Sequence, residues 1–141
     1  MHGTRTQKLI NAGDAAVDEM LEGIMAAHGD LLTRNDSAPR AIIARNGPRA
    51  GKVALVIGGG SGHEPTFLGF VGKGLADAAV IGNVFASPPP QPVVDAALAT
   101  HGGAGVLFMY GMPMRAPTRW GWRSRRARCH KRVVQLRNRA W

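Results

Sequence analysis

Residues 52–57 read KVALVI and are followed directly by GGGSGHEP at residues 58–65. The first run is largely apolar at consecutive positions, which is typical of a parallel strand covered by helices on both faces. The glycines that follow are expected to interrupt the strand and form a loop. In an open α/β sheet, ligands bind outside the carboxyl ends of the strands, and glycines let the backbone approach a ligand closely. This stretch therefore predicts both a fold class and the place of a binding site.

The segments on either side alternate between helical and strand patterns. Residues 14–28 (DAAVDEMLEGIMAAH) place apolar side chains at spacings of three and four, which predicts an amphipathic helix. The other elements that we predict are strands at 41–45, 78–82 and 104–110, helices at 92–100 and within 65–76, and a turn at 35–40. Strands that alternate with helices indicate an α/β fold, here a layered, mostly parallel sheet flanked by helices.

Polar groups are concentrated where three of the predicted strands end. Ser61 and His63 follow the first strand, the segment 82–88 (GNVFASP) follows the second, and a further loop follows Tyr110. If these strands run parallel, the three loops lie at one edge of the sheet and could line one pocket. The alternative is that they are ordinary turns, in which His63 is a turn residue with satisfied hydrogen bonds and Glu64 makes a structural contact.

Neither glycine motif for nucleotide binding is present. Lys73 in GFVGKG (69–74) has the wrong spacing for the phosphate loop GxxxxGK[ST], and no Ser or Thr follows it. The dinucleotide pattern GxGxxG fails because His63 stands where the third glycine is required. No metal-ligand spacing surrounds the single cysteine, Cys129. The sequence therefore predicts that this chain itself binds no cofactor and no metal.

The chain has 141 residues, of which 45% are hydrophobic, which is enough for one domain with a core. No apolar run reaches the ~18 residues that a membrane span needs. The first residues also lack the apolar stretch of a signal peptide. We therefore expect a cytoplasmic protein with no membrane partner.

Charge is distributed very unevenly along the chain, which has a formal net charge of +9. Residues 1–111 contain 8 lysines and arginines against 9 acids, whereas residues 112–141 contain 10 basic residues and no acid. The basic tail also contains Trp120 and Trp122, so a less favoured hypothesis is a nucleic-acid-binding protein that contacts phosphates and stacks on bases. Because the body carries almost no net charge, we predict no specific nucleic-acid partner.

Five segments form a pattern that is more specific than any single glycine motif. They are KLIN (8–11), VDEMLEGIMAAH (17–28), GKVALVIGGGSGHEP (51–65), GFVGKGLADAAVIGNVFASP (69–88) and GGAGVLFMYG (102–111). Together they resemble the dihydroxyacetone kinase family, and in particular its DhaK-type substrate-binding domain, nearly collinearly over residues 8–111. The resemblance implies that residues 1–111 are the N-terminal part of an incomplete DhaK-type domain.

The resemblance implies a kinase that phosphorylates a terminal hydroxyl of a small ketose such as dihydroxyacetone (glycerone). It implies that His63 is the catalytic, acid/base histidine and that Gly60 and Ser87 contact the substrate. The same wall of the pocket would include three further residues, Gly59, Ser61 and Gly62. The resemblance also implies that the intact protein is a homodimer. It implies further that the phosphoryl donor is held by a separate nucleotide-binding domain or subunit. That donor is ATP with Mg²⁺ in one branch and a phosphotransferase-system carrier in the other.

The sequence leaves the family pattern after Gly111. The family continues with a segment like NYAGD, whose aspartate is catalytic, whereas this chain reads MPMR at residues 112–115. The histidine that holds the substrate covalently in the family would lie beyond residue 141. The codons of residues 112–116 allow Ala-Tyr-Ala-Gly in another frame. Residues 112–141 are therefore interpreted as an out-of-frame or disordered basic tail, and the fragment is expected to be inactive. The competing interpretation is a non-catalytic ketose-binding or regulatory module.

Overall fold

A computed structural model describes residues 9–110 and one short strand at residues 133–135. In chain order the elements are α1 (Ala16–His28), β1 (Leu32–Asn35), β2 (Ala38–Ala44), β3 (Ala54–Ser61), a 3-10 helix (Leu68–Phe70), β4 (Ala78–Val84), α2 (Pro90–Thr100), β5 (Val106–Tyr110) and β6 (Val133–Gln135). The interpretation of residues 112–141 and the nucleic-acid hypothesis concern residues outside this set, apart from β6. The boundary after residue 111 stays a prediction.

The strands form one sheet in the order β1-β2-β4-β3-β5-β6. β3 lies between β4 and β5 and runs parallel to both, and β6 is parallel to β5. β2 is antiparallel to β4 and to β1. The predicted α/β fold, a sheet flanked by helices, is confirmed. The sheet is mixed because a hairpin, which the sequence patterns did not indicate, adds two antiparallel strands at one side.

Each face of the sheet is covered by one helix, and alternate residues of a strand point to opposite faces. On the face of α1, Val17 and Leu21 belong to an apolar cluster with Ile42 and Ile57. On the face of α2, the helix contributes Val93, Ala96 and Ala97 to a second cluster, in which the sheet contributes Ile43, Val56, Val80 and Phe108. Burial on both faces explains why residues 54–57 are apolar at consecutive positions.

The hairpin between β1 and β2 occupies much of the segment that was predicted as a turn. The side chain of Asn35 accepts a hydrogen bond of 2.9 Å from the backbone N–H of Ser37, which closes the turn locally. Asn35 is already paired with Ala38, so only residues 36 and 37 connect the strands. The predicted turn at 35–40 is therefore correct only for residues 36 and 37, because Asn35 belongs to β1 and residues 38–40 belong to β2.

Both predicted long helices are confirmed within two residues of their predicted limits, at Ala16–His28 and Pro90–Thr100. The short helix predicted within 65–76 is a single 3-10 turn at Leu68–Phe70. Over the part of the chain that the structure describes, no helix has both the length and the apolar character needed to cross a membrane.

Candidate functional site at the carboxyl edge of the sheet

The glycine-rich stretch does not interrupt the central strand. β3 continues through the three glycines to Ser61, which pairs with Val84 of β4. The expected loop at residue 58 is thus wrong, because β4 supplies a hydrogen-bonding partner along most of this length. The described part of β5 ends beside Gly58, at Tyr110. The last three residues of β3 therefore extend beyond the described part of β5, at the carboxyl edge of the sheet.

The turn at the end of β4, which begins with the last two residues of the strand, folds back onto the end of β3. Its backbone closes through a hydrogen bond of 3.0 Å from the N–H of Ala86 to the carbonyl oxygen of Asn83. A Cβ atom on Gly60 would lie 3.2 Å from each of these residues' carbonyl oxygens. A Cβ atom on Gly82 would lie 2.1 Å from the oxygen of Ala86, so any side chain at this position would overlap the backbone of the turn. The turn at residues 83–86, called the rim turn below, can rest on the strands only because Gly82 has no side chain, whereas a Cβ atom on Gly60 would require the turn to move by a few tenths of an ångström.

Gly59 has a different neighbour, the aromatic ring of Phe67. A Cβ atom on Gly59 would lie 2.5 Å from the nearest ring carbon. Phe67 itself has a φ of 68°, a left-handed conformation that bulky residues rarely adopt. Gly59 and Gly60 are both buried. The contacts that these two residues can offer to a ligand are therefore limited to backbone atoms.

Ser61 joins the ends of β3 and β4. Its side chain is buried, and its hydroxyl donates a hydrogen bond of 2.8 Å to the carbonyl oxygen of Gly82. The hydroxyl proton is engaged in this bond, so toward any ligand the oxygen can act as an acceptor. Ser61 thus holds together the two strands from which the other candidate residues project.

His63 stands on an exposed turn directly after β3. The turn is stabilised by Glu64, whose carboxylate accepts a hydrogen bond of 2.8 Å from the N–H of Gly62. The carbonyl oxygen of His63 accepts a further bond of 2.9 Å from the N–H of Thr66. Gly62 has a φ of 108°, which a residue with a side chain rarely adopts. The imidazole of His63 is consequently presented to solvent from a backbone that is fixed on both sides.

Ser87 follows the rim turn and is half-buried, immediately before the buried Pro88. Within the turn, Phe85 has a φ of 57° and is 92% exposed. A large apolar side chain held in a left-handed conformation in solvent is costly on both counts. The turn thus presents an unusual aromatic group beside Ser87.

A network of polar side chains supports the rim turn from outside. The guanidinium of Arg40, on β2, donates two hydrogen bonds of 2.8 Å to the carboxylate of Asp18 in the first turn of α1. Its third nitrogen donates to the side-chain oxygen of Asn83. The hydrogen bonds from Arg40 lower the pKa of Asp18 below its ordinary value, and the positive charge of Arg34 acts in the same direction. Sequence reasoning missed this network, since its members are remote in the chain and follow no motif.

The fold brings most of the predicted site residues to one edge. Gly59, Gly60 and Ser61 form the end of the central strand, and the Ser61–Val84 pairing places the segments that carry His63 and Ser87 at the same end of the sheet. Gly62 lies between these groups on the turn. The described residues contain no group of three or more His, Cys, Asp or Glu side chains that could hold a metal ion.

The fold and this edge define an α/β domain whose candidate ligand site lies where parallel strands end. Comparison with known proteins is consistent with that description. The Dak1 domain family matches residues 22–112, which is more than half of the chain. The chain belongs to the Dak1 family, as the sequence resemblance implied.

Two curated relatives show what this chain is similar to. The dihydroxyacetone-binding subunit DhaK of a PTS-dependent dihydroxyacetone kinase from Listeria innocua is 46% identical over 74% of this chain and 32% of its own length. An L-erythrulose kinase from Pectobacterium atrosepticum is 44% identical over 73% of this chain and 17% of its own. The chain thus spans about a third or less of these curated relatives.

Among solved structures, the dihydroxyacetone kinase from C. freundii, crystallised with AMP-PNP and Mg²⁺, is similar with a TM-score of 0.77 and 34% identity. The similarity covers 94% of this chain and 25% of that protein. This likeness confirms the α/β fold class and the kinship with kinases of small ketoses.

Proposed function

We propose that residues 9–110 form the ketose-binding wall of a dihydroxyacetone (glycerone) kinase, which phosphorylates a terminal hydroxyl of its substrate. The observation that carries this proposal is the gathering of Gly60, His63 and Ser87 at the carboxyl edge of the sheet. Support comes from the names of the relatives, which bind dihydroxyacetone or phosphorylate dihydroxyacetone or erythrulose.

The roles of the three residues follow from their chemistry. The backbone of Gly60 and the hydroxyl of Ser87 would hydrogen-bond the oxygens of the ketose. The exposed imidazole of His63 would accept the proton of the terminal hydroxyl, because a histidine exchanges protons near neutral pH. Placing these donors and acceptors around the reacting oxygen is the main contribution that a protein makes to phosphoryl transfer.

The phosphoryl donor would be held by a separate nucleotide-binding domain or subunit and would be ATP with Mg²⁺ or a phosphotransferase-system carrier. The aspartate and the covalent histidine that the resemblance implies have no matching motif in the sequence of 141 residues. We therefore expect no turnover from this chain alone. Phosphorylation of dihydroxyacetone by the purified 141-residue protein with either donor would contradict that expectation.

Binding can be tested by calorimetric titration of the 141-residue protein with dihydroxyacetone, L-erythrulose and glycerol. We expect saturable binding of a ketose and none of glycerol, which lacks the carbonyl group. His63→Gln should weaken binding by roughly tenfold, the value of one hydrogen bond. His28→Gln is the matched control, because His28 is also an exposed histidine but lies in the last turn of α1.

Two results would count against the proposal. One is the absence of saturable ketose binding by a folded protein. The other is an equal effect of the His63 and His28 substitutions. Binding that is retained by a protein with no turnover, even when a donor domain is supplied, would instead indicate a non-catalytic ketose-binding module.

A further inference from the structure

The rim turn is attached to the rest of the domain by a side chain from a different strand. Arg40 lies near the start of β2, 43 residues before Asn83 in the chain. The same guanidinium bonds Asp18, 22 residues earlier, through two parallel hydrogen bonds of 2.8 Å. A planar guanidinium held by two bonds to one carboxylate has a fixed orientation, so the directions of the N–H groups on its third nitrogen are also fixed.

The third nitrogen donates to the first residue of the rim turn, Asn83. Asn83 accepts this bond on its side-chain oxygen, while its backbone oxygen accepts the N–H of Ala86 at 3.0 Å. The two ends of the turn therefore depend on one residue whose position Arg40 fixes. Because the carbonyl oxygens of Asn83 and Ala86 lie directly over Gly60, a displacement of Asn83 moves the surface that faces the end of β3.

We propose that Arg40 is a positioning residue for the candidate site, acting through Asn83 on the rim turn that carries Phe85 and precedes Ser87. The expected effect of Arg40 on ketose affinity rests on the proposed function. The geometric part, that Arg40 orders the rim turn, stands on the contacts alone. The hydrogen bonds of the Arg40 guanidinium go to Asp18 and Asn83 rather than to Gly60 or Ser87, so it is not assigned a catalytic role.

The backbone of the rim turn is strained, and the hydrogen bond from Arg40 stabilises it in that conformation. Phe85 is held in a left-handed conformation and exposes 92% of its surface. An isolated turn with this residue would relax toward a less strained backbone. The hydrogen bond from the charged guanidinium to Asn83 is a contact from outside the turn that favours the strained form.

The test compares Arg40→Gln with Arg45→Gln in the 141-residue protein. Both substitutions remove an arginine at one end of β2. Arg40 bonds to Asp18 within α1, and Arg45 bonds to the residue that follows α1. Arg45 donates to the carbonyl oxygen of Gly29, which follows the last turn of α1, at the opposite end of that helix from Asp18. The first readout is the hydrogen-exchange rate of the Ala86 amide, whose protection reports closure of the turn. The second readout is the affinity for dihydroxyacetone.

We expect Arg40→Gln to speed exchange of the Ala86 amide by about three- to tenfold and to weaken ketose binding by a similar factor, the range for a partly exposed hydrogen bond to a charged group. Arg45→Gln should change neither readout. Asn83→Leu should reproduce the effect of Arg40→Gln, whereas Asn83→Asp, which keeps the acceptor and adds an opposite charge, should not.

Each failure has a distinct meaning. If Ala86 exchange is unchanged in Arg40→Gln, or is equally changed in Arg45→Gln, the inference is overturned. If exchange speeds up but ketose affinity is unchanged, Arg40 orders the turn without positioning the site, and the inference is overturned as well. If the unsubstituted protein binds no ketose, the proposed function fails, and Ala86 exchange alone decides whether Arg40 orders the turn.

Discussion

The hydroxyl of Ser61 donates a hydrogen bond of 2.8 Å to the carbonyl oxygen of Gly82, although the two residues belong to different strands. This bond lies under the rim turn and beside the exposed turn of His63. It joins two segments that the sequence patterns assigned to separate loops. The candidate site is therefore held by a side chain that was expected to contact the ligand itself.

Removing this bond should lower stability. Ser61→Ala leaves the carbonyl oxygen of Gly82 without its partner in a buried position, so we expect a loss of about 1–3 kcal/mol in the free energy of unfolding. Ser37→Ala, at an exposed position in the hairpin, is the control and should change stability by less than about 0.5 kcal/mol. Urea denaturation followed by circular dichroism measures both. Equal effects of the two substitutions would show that the Ser61 bond contributes nothing.

Two glycine-to-alanine substitutions should change the free energy of unfolding in opposite directions. A Cβ atom on Gly82 would overlap the backbone of the rim turn, so Gly82→Ala should destabilise the protein by about 1–3 kcal/mol or more. Gly23 lies within α1, and a Cβ atom added there would meet no neighbouring group within 4 Å, so Gly23→Ala should stabilise by about 0.5–1 kcal/mol. Thermal unfolding of the two variants checks the signs. A stable Gly82→Ala protein would contradict the close approach of the rim turn.

Asp77 is a buried carboxylate at the opposite edge of the sheet. It accepts a hydrogen bond of 2.8 Å from the N–H of Leu55 and one from Arg49, and the Lys52 ammonium lies 3.8 Å away. Asp77→Ala should cost about 3 kcal/mol, because it leaves a buried N–H and a partly buried guanidinium without their partner. Asp36→Ala, at an exposed position, is the control. Chemical denaturation should separate the two clearly, and a loss below about 1 kcal/mol for Asp77 would refute its structural role.

Tyr110 should make the protein sensitive to base. Burial raises the pKa of the Tyr110 hydroxyl above its ordinary value of 10.0. Since the unfolded chain then loses this proton at lower pH than the folded protein does, the Tyr110 contribution to stability is intact below about pH 10 and falls as the pH rises above it. Tyr110→Phe should remove that part of the decline. The measurement is the free energy of unfolding of both proteins between about pH 9 and pH 11, roughly the ordinary range in which a tyrosine loses its proton. If the free energy falls with pH at the same rate in both proteins, the prediction is wrong.

The sequence was informative where local pattern and tertiary contact agree. Residues 54–57 are apolar at successive positions because both faces of β3 are covered, and that pattern is visible in one dimension. Gly58 to Gly60 were assigned to a loop because glycine is a poor strand former. They remain in the strand because β4 pairs with Gly58, Gly59 and Ser61 on either side of Gly60, and the rim turn and Phe67 lie in the space that side chains would otherwise fill. Such requirements come from neighbours distant in the chain.

The same distinction applies to the candidate site. Gly60, His63 and Ser87 lie at or just beyond the ends of strands, so their position at one edge could be predicted from the parallel arrangement alone. The engagement of the Ser61 hydroxyl could not, because its partner is 21 residues away. The bond between Arg40 and Asn83 joins the start of β2, which the sequence predicts as a turn, to the end of β4, and no spacing rule connects the two residues.

The hairpin at the start of the sheet has a consequence for association between molecules. β1 is the outermost strand on its side, has only four residues and includes Arg34 and Asn35. Short edge strands that carry charge resist the addition of a strand from a neighbouring molecule. Asn35 also donates a hydrogen bond of 3.3 Å to the carbonyl oxygen of Asp95, which ties the hairpin to α2. The two antiparallel strands therefore shield the parallel strands on this side from aggregation through edge-to-edge pairing.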